Sequence, residues 1–244
     1  MPKFFMAGTN LKGGMAYVRG QDAEHIRVLR LRPGDDVWVC DGKGTDYKCH
    51  IVKTDKEEAQ LEVVEVRPCT SEPSVDTAVL CGLPKGSDRT DYIIQKSVEA
   101  GADEIMFFDC ARCIAKPDEP EKKTERWQRI AEEAAKQSGR GIIPQVSWVG
   151  SLVGALDVAV KRDIGLFMYE TGERESLSEV LDKNSGVKSA AIITGPEGGF
   201  EKFEADLARA AGLHVCSMGE RILRCETAPI VALTAVMYAT GNLA

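Results

Sequence analysis

From residue 75 to the C-terminus, short apolar runs alternate with helical patterns, and no other feature constrains the fold as strongly. Strand-like runs fall at 77–83, 103–109, 146–149, 164–169, 190–194 and 214–218. Helical periodicity appears at 88–100, 120–138, 151–160, 177–182, 202–211 and 229–240. Strands separated by helices pair in parallel, and a parallel sheet is buried by helices on both faces. The expected class is therefore α/β, a parallel sheet with helices on both faces. Gly101, Gly139, Gly212 and Gly241 lie where a glycine just past the last turn would end a helix. In such sheets ligands sit at the carboxyl ends of the strands.

The first 70 residues read differently. Strand candidates are 3–7, 15–19, 36–40, 46–54 and 59–67, rich in Val and Ile and separated by turn residues. Residues 21–31 form a short helical pattern ended by Pro33-Gly34. This is the pattern of a small β-barrel. Pro68-Cys69-Thr70-Ser71-Glu72-Pro73-Ser74 has linker composition, which divides the chain into 1–70 and 71–244.

Charge narrows the partners. The net charge is −7, yet residues 1–70 carry 11 basic and 11 acidic side chains and are neutral. The chain is no polycation, so contact with nucleic acid must come from local basic clusters. The longest apolar stretch, 228–239, is shorter than the roughly 20 residues that span a bilayer. The N-terminus, Met1-Pro2-Lys3-Phe4-Phe5-Met6, lacks a signal-peptide core. A cytoplasmic protein without membrane contact is expected, and its eight cysteines are expected to be reduced. Cys110-Ala111-Arg112-Cys113 is the one C-x-x-C. Zinc would need two further ligands, and His25, His50 and His214 are scattered. No metal is expected, and the pair reads as two strand-end thiols.

Two segments stand out near the C-terminus. Ile192-Ile193-Thr194-Gly195-Pro196-Glu197-Gly198-Gly199-Phe200 follows one strand run, and Met218-Gly219-Glu220-Arg221-Ile222-Leu223-Arg224-Cys225-Glu226-Thr227-Ala228-Pro229 follows another. Each opens into a helix. Glycines allow sharp turns and close approach of a ligand, and helix starts leave amides free. Two such loops in one domain suggest a small-molecule site built largely from backbone. The first fits neither a dinucleotide fingerprint nor a phosphate-binding P-loop; on composition alone it could equally be a tight turn. In the second, Ile222 and Leu223 sit between Arg221 and Arg224, as in a segment that packs its apolar pair while presenting the arginines. Thr227 or Ala228 would cap the last helix, with Pro229 in its first turn.

At these residues the chain resembles the SPOUT class of methyltransferases. More closely, it is similar to the RsmE family, which methylates N3 of a uridine in small-subunit (16S) ribosomal RNA. The resemblance spans nearly the whole chain. It is carried by His25-Ile26-Arg27-Val28-Leu29-Arg30-Leu31-Arg32-Pro33-Gly34-Asp35, Asp41-Gly42-Lys43-Gly44, Leu83-Pro84-Lys85-Gly86 leading to Gln95-Lys96, and Glu133 to Arg140 with Ile143-Pro144. Tyr169-Glu170, Thr194 to Gly199 and Arg221 to Ala228 complete it. Glu220 and Cys225 fall at positions where variety is expected, and Cys110 and Cys113 lie outside the family pattern.

The resemblance implies a PUA-like RNA-binding β-barrel at 1–70 and a SPOUT methyltransferase domain at 71–244 tied in a trefoil knot, an exception to un-knotted folding. It implies S-adenosyl-L-methionine as cofactor, a homodimer with active sites at the subunit interface, and small-subunit ribosomal RNA, in an assembled subunit, as partner. Thr194, Gly195, Pro196, Glu197, Gly198, Gly199, Met218, Gly219, Ile222, Leu223, Thr227 and Ala228 are the expected cofactor-binding residues. Arg224 is the expected catalytic group, stabilising charge on the uracil oxygens, with Glu197 or Glu226 as base or as an orienting group. RNA contact is expected from Arg27, Arg30, Arg32, Lys85, Gln137, Arg140 and Arg221. The competing readings are a SPOUT enzyme with another ribosomal or transfer RNA target, a non-catalytic RNA-binding assembly factor, and a thiol oxidoreductase using Cys110 and Cys113.

Overall fold

Two packing units emerge from the computed structural model, which describes residues 3–6, 10–116 and 119–243. One contains Met1–Glu72 and Ala135–Ile143, the other Pro73–Ala134 and Pro144–Ala244.

The first unit carries β1 (Lys3–Phe5), β2 (Leu11–Lys12), β3 (Met15–Arg19), α1 (Gln21–Val28), β4 (Asp36–Cys40), β5 (Thr45–Thr54) and β6 (Glu58–Pro68). These strands form one sheet in the order β1-β4-β5-β6-β3-β2, antiparallel except for β1 on β4. The β5–β6 register shifts at Lys48/Cys49 and again at Ile51/Lys53. Such irregularities bend a strand and increase its twist. The sheet accordingly curls as a half-barrel over Phe4, Val18, Ile26, Val37, Val39, Ile51 and Leu61. Ala7, the expected end of the first strand, lies outside the described residues. Helix α1 stops at Val28 rather than Leu31, because Arg30 takes a left-handed φ of 56°. The Leu31 amide then donates to the Ile26 carbonyl at 3.2 Å, the back-bonded ending that usually uses glycine.

Residues 135–143 were expected with the second domain, but they pack with the first unit. The Gly141 carbonyl accepts from the Gly44 amide and the Cys40 thiol, each at 3.0 Å. Glu72 accepts from the amides of Gly141 (2.6 Å) and Ile142 (3.1 Å). A side chain at Gly141 would meet Cys69 Cβ at 2.4 Å, so this crossing requires glycine.

The second unit contains β7 (Asp76–Gly82), α2 (Ser87–Glu99), β8 (Glu104–Asp109), α3 (Pro120–Ser138, its final residues counted with the first unit), β9 (Gln145–Ser151) and α4 (Leu152–Ala159). It continues through β10 (Ile164–Met168), β11 (Glu175–Ser176), α5 (Leu177–Lys183), β12 (Ser189–Thr194), α6 (Lys202–Ala210), β13 (His214–Ser217) and α7 (Ala228–Ala239). The sheet order is β11-β13-β10-β12-β7-β8-β9, with every pairing parallel. Burial on both faces explains the apolar runs: Thr77 through Gly82 and Ala190 through Thr194 are all buried. Leu80, Phe108 and Ile193 join α4 and α6 residues in one core. Phe107, one residue from Phe108 and so on the other face, meets Trp127 of α3 at 4.7 Å between ring centres. Strand β12 inserts between β7 and β10, and β13 then passes outside β10. That order sets the carboxyl ends of β13, β10 and β12 side by side.

Candidate active site

A cleft of about 490 Å³ opens at those three strand ends. Its lining comes from Met168, Tyr169 and Glu170 at the end of β10, the glycine loop at the end of β12, residues 216–219 and 221–226 with Ala228 at and beyond the end of β13, and Arg89 of α2.

The glycine loop is packed closely on the side away from the cleft. Pro196 lies so close to the end of β7 that a Cβ at Gly82 would meet its Cδ at 2.6 Å. A Cβ at Gly195 would sit 3.1 Å from the Gly199 backbone. Gly199 has φ +65°, and a Cβ there would fall 2.3 Å from Glu170 Oε1. Its amide closes the turn on the Pro196 carbonyl at 2.9 Å. Phe200 then enters the core against Phe167, with ring centres 4.2 Å apart. Glu201 and Glu204 form a capping box that starts α6.

The C-x-x-C segment clasps the outside of this loop. Arg112 Nη1 donates to the Gly198 carbonyl at 2.6 Å and Nε to Glu201 at 2.9 Å. The Ala111 amide donates to the buried Glu204 at 2.9 Å. The Cys110 and Cys113 sulfurs are 3.4 Å apart. The hydrogen bond between them pushes the Cys110 thiol up and pulls the Cys113 thiol below its ordinary value. All eight cysteines are free, and no group of three or more metal-ligating side chains occurs among the described residues.

The second loop is open. Gly219 has φ +97° with nothing within 4 Å of a would-be Cβ. Ile222 is 86% exposed, so of the expected apolar pair only Leu223 is half-buried. The amides of Thr227 and Ala228 both donate to the Arg224 carbonyl at 2.9 Å. Thr227 is the N-cap of α7 but makes no side-chain capping bond. The Arg224 guanidinium is 81% exposed, 4.0 Å from Glu226. Burial pushes the Glu226 carboxyl up, but its own amide, the Cys225 thiol, Arg89 and Arg224 outweigh burial and hold it below the usual carboxylate range. Burial pushes the Cys225 thiol to about 12, with Glu226 beside it adding to the rise.

The cleft thus gathers Thr194, Gly195, Pro196, Glu197, Gly199, Met218, Gly219, Ile222, Leu223 and Ala228 from the expected cofactor set, with Arg221, Arg224 and Glu226. Gly198 and Thr227 lie outside its lining. Sequence reasoning missed Arg89, whose guanidinium pairs with Glu197 and stands 3.7 Å from Glu226. It also assigned no role to Met168, Cys216 or Ser217. The one signal available for Met168 and Ser217 was their place at strand ends. Among the expected RNA contacts, Lys85 and Arg221 are exposed in the second unit, and Arg27, Arg30, Arg32 and Gln137 in the first. Arg140 is the correction. It is 2% exposed and donates to Glu72 at 2.6 Å, so it holds the 135–143 segment in place instead of facing solvent.

Residues 71–237 match the family described as RNA methyltransferase domain, and residues 18–64 match RNA methyltransferase PUA domain. Fold and cleft together therefore define an RNA methyltransferase with a PUA domain. The chain is 35% identical to ribosomal RNA small subunit methyltransferase E of Bacillus subtilis, covering 93% of this chain and 91% of that one. It is 34% identical to the protein of that name from Synechocystis, over 86% of this chain and 68% of the other. The crystal structure of ribosomal RNA small subunit methyltransferase E from Neisseria gonorrhoeae bound to S-adenosyl methionine superposes with a TM-score of 0.84 at 29% identity, covering 98% and 97% of the two chains. The chain belongs to the ribosomal RNA small subunit methyltransferase E family.

Proposed function

We propose that this chain transfers a methyl group from S-adenosylmethionine to N3 of a uridine in small-subunit ribosomal RNA. The observation that carries the reading is the glycine loop. At Gly195 a Cβ would crowd the Gly199 backbone at 3.1 Å, at Gly199 it would meet positive φ and the Glu170 carboxylate, and this bare backbone forms one wall of a cleft whose other wall presents Arg224. The cleft volume suits a ligand of cofactor size. Backbone groups of 194–199 and 218–223 would hold the adenosine and methionine parts, with carboxylates of Glu170, Glu197 and Glu226 available to a cationic ligand. When bound, S-adenosylmethionine supplies a methyl carbon on a sulfonium, so that transfer leaves a neutral thioether.

The residues of this chain would then do the rest. Uracil N3 bears a proton and gains nucleophilicity as that proton passes to water. Glu226, held ionised by its neighbours, is a weak base for so weak an acid. Arg224 therefore carries the larger share, offering donors to the charge that develops on O2 and O4. Arg221 and Lys85 would take phosphate, as would Arg27, Arg30, Arg32 and Gln137 of the PUA unit, the latter by local rather than bulk charge. In this reading the two cleft loops belong to the knotted crossings of the SPOUT domain.

We further infer a homodimer. Ile222 at 86%, Tyr238 at 77% and Val231 at 41% exposure leave apolar surface on the second loop and α7. A second copy covering it would complete the side of the cleft that Ile222 leaves open. The assembled small subunit in the cytoplasm is the proposed place of action; among the described residues no helix is long and apolar enough to cross a membrane.

Labelled-methyl transfer tests the function, with free ribosomal RNA, assembled small subunits and transfer RNA from cells lacking the protein as substrates. A single reverse-transcription stop at one uridine of the small-subunit RNA is the expected result. Transfer to tRNA alone would overturn the target, and failure to bind S-adenosylmethionine would overturn the activity.

A further inference from the structure

Arg89 has no place in the assignments above, yet its guanidinium reaches both loops of the cleft. Nη1 pairs with Glu197 of the glycine loop, and Nε stands 3.7 Å from Glu226 of the second loop. Nη1 also donates to the Lys85 carbonyl at 3.2 Å, while the Lys85 amide donates to Glu197 Oε1 at 2.8 Å. One planar side chain therefore ties three separate segments together.

Its location sharpens the point. Arg89 lies in the first turn of α2, where a cation opposes the helix dipole. A residue that breaks a local rule usually serves something outside its own element. Helix α2 is itself fixed, since Ile93, Ile94 and Val98 are buried. Glu170, Glu197 and Glu226 all line the cleft, and like charges so placed push their loops apart. Arg224 also approaches Glu226, but from an 81% exposed side chain in the same loop, so it cannot join the two loops.

We propose that Arg89 is a positioning residue that sets the separation of the glycine loop and the second loop, and with it the width of the cofactor cleft. It acts from a packed helix, through Glu197 on one edge of the guanidinium and Glu226 on another. The fork geometry matters: a lysine keeps the charge but offers a single point rather than two edges. The identity of the cleft's ligand rests on the methyltransferase reading; the clamp itself does not.

Two measurements on the full chain separate those questions. The first is hydrogen exchange of the unliganded protein. In R89Q, peptides covering 194–199 and 224–228 should both exchange faster, with R89K intermediate and the melting behaviour of the core strands retained. Faster exchange confined to 85–89 would overturn the clamp whatever the ligand is. The second is calorimetric titration with S-adenosylmethionine, using wild type, R89Q, R89K, E197Q and the R89Q/E197Q pair. R89Q should weaken binding by about tenfold or more, the loss expected for a charge-assisted hydrogen bond. R89K should recover part of this, and the double variant should be little worse than R89Q alone. In turnover, KM for the cofactor should rise more than kcat falls. Losses that simply multiply in the pair, or R89Q binding like wild type, would overturn the positioning role. A wild-type protein that does not bind the cofactor would instead overturn the methyltransferase reading, leaving the exchange data to decide the clamp.

Discussion

The two loops of the cleft are built in opposite ways. The glycine loop is enclosed: Gly82 and Pro196 nearly touch, Glu170 covers Gly199, Arg112 holds the Gly198 carbonyl, and Phe200 anchors the exit in the core. The second loop faces outward, with Ile222 86% exposed and Arg224 81% exposed. Enclosure fixes a backbone surface before any ligand arrives and so lowers the ordering cost of binding. Exposure leaves side chains free to meet a substrate or a second subunit. One loop is shaped by its own chain, and the other is finished by what it meets.

Substitutions at the glycines should break the contrast most sharply. Gly199→Val places a branched side chain at positive φ and against Glu170, so cofactor affinity should fall by on the order of a hundredfold or more by calorimetry. Gly219→Val also meets positive φ but touches nothing; an equal loss at both sites would show that enclosure is not what matters. Next comes Arg224→Ala, expected to lower kcat by about a hundredfold or more while cofactor affinity stays within about threefold. Unchanged turnover would remove Arg224 from the chemistry.

Smaller effects test the outward face. Ile222→Glu with Tyr238→Glu should shift sedimentation from dimer to monomer while thermal stability changes little, since both side chains are exposed. A dimer of undiminished stability would place the subunit contact elsewhere. Glu226→Gln should cost less than about 1 kcal/mol of folding stability, because its charge partners are largely solvated. The sign follows from its lowered value: the ionised form stabilises the fold above the unfolded carboxyl value of about 4.3 and that contribution is lost as pH falls through the folded value. Urea melts should therefore separate the variant from wild type at neutral pH and converge as pH falls below the folded carboxyl value. The smallest expected signal is chemical. Iodoacetamide should modify Cys113 before Cys110, while Cys81 and Cys216, whose thiols burial pushes to about 12, stay unmodified. Faster labelling at Cys110 would reverse the expected order of the two thiols.

Much of the architecture is written locally. The period of the apolar residues set the order of strands and helices in 71–244, because a strand buried on both faces has to be apolar throughout. The four glycines expected to end helices all adopt positive φ, at Gly101, Gly139, Gly212 and Gly241, since that backbone turn excludes a Cβ for nearby reasons. The two-residue strands β2 and β11 escaped notice because they are too short to show a period.

Tertiary structure decided what depends on residues distant in sequence. Arg140 reads as a surface cation until Glu72, 68 positions earlier, is seen to hold it in the first unit. Arg89 reads as an ordinary helix residue until Glu197 and Glu226 arrive beside it. Ile222 reads as a packed residue until it proves to be 86% exposed. The sequence by itself determined most of the elements and the need for a sharp glycine turn after β12, because periodicity and steric exclusion act over a few residues. Only the folded chain decided which charges neutralise one another and which apolar groups stay uncovered, because those outcomes depend on which distant segments meet.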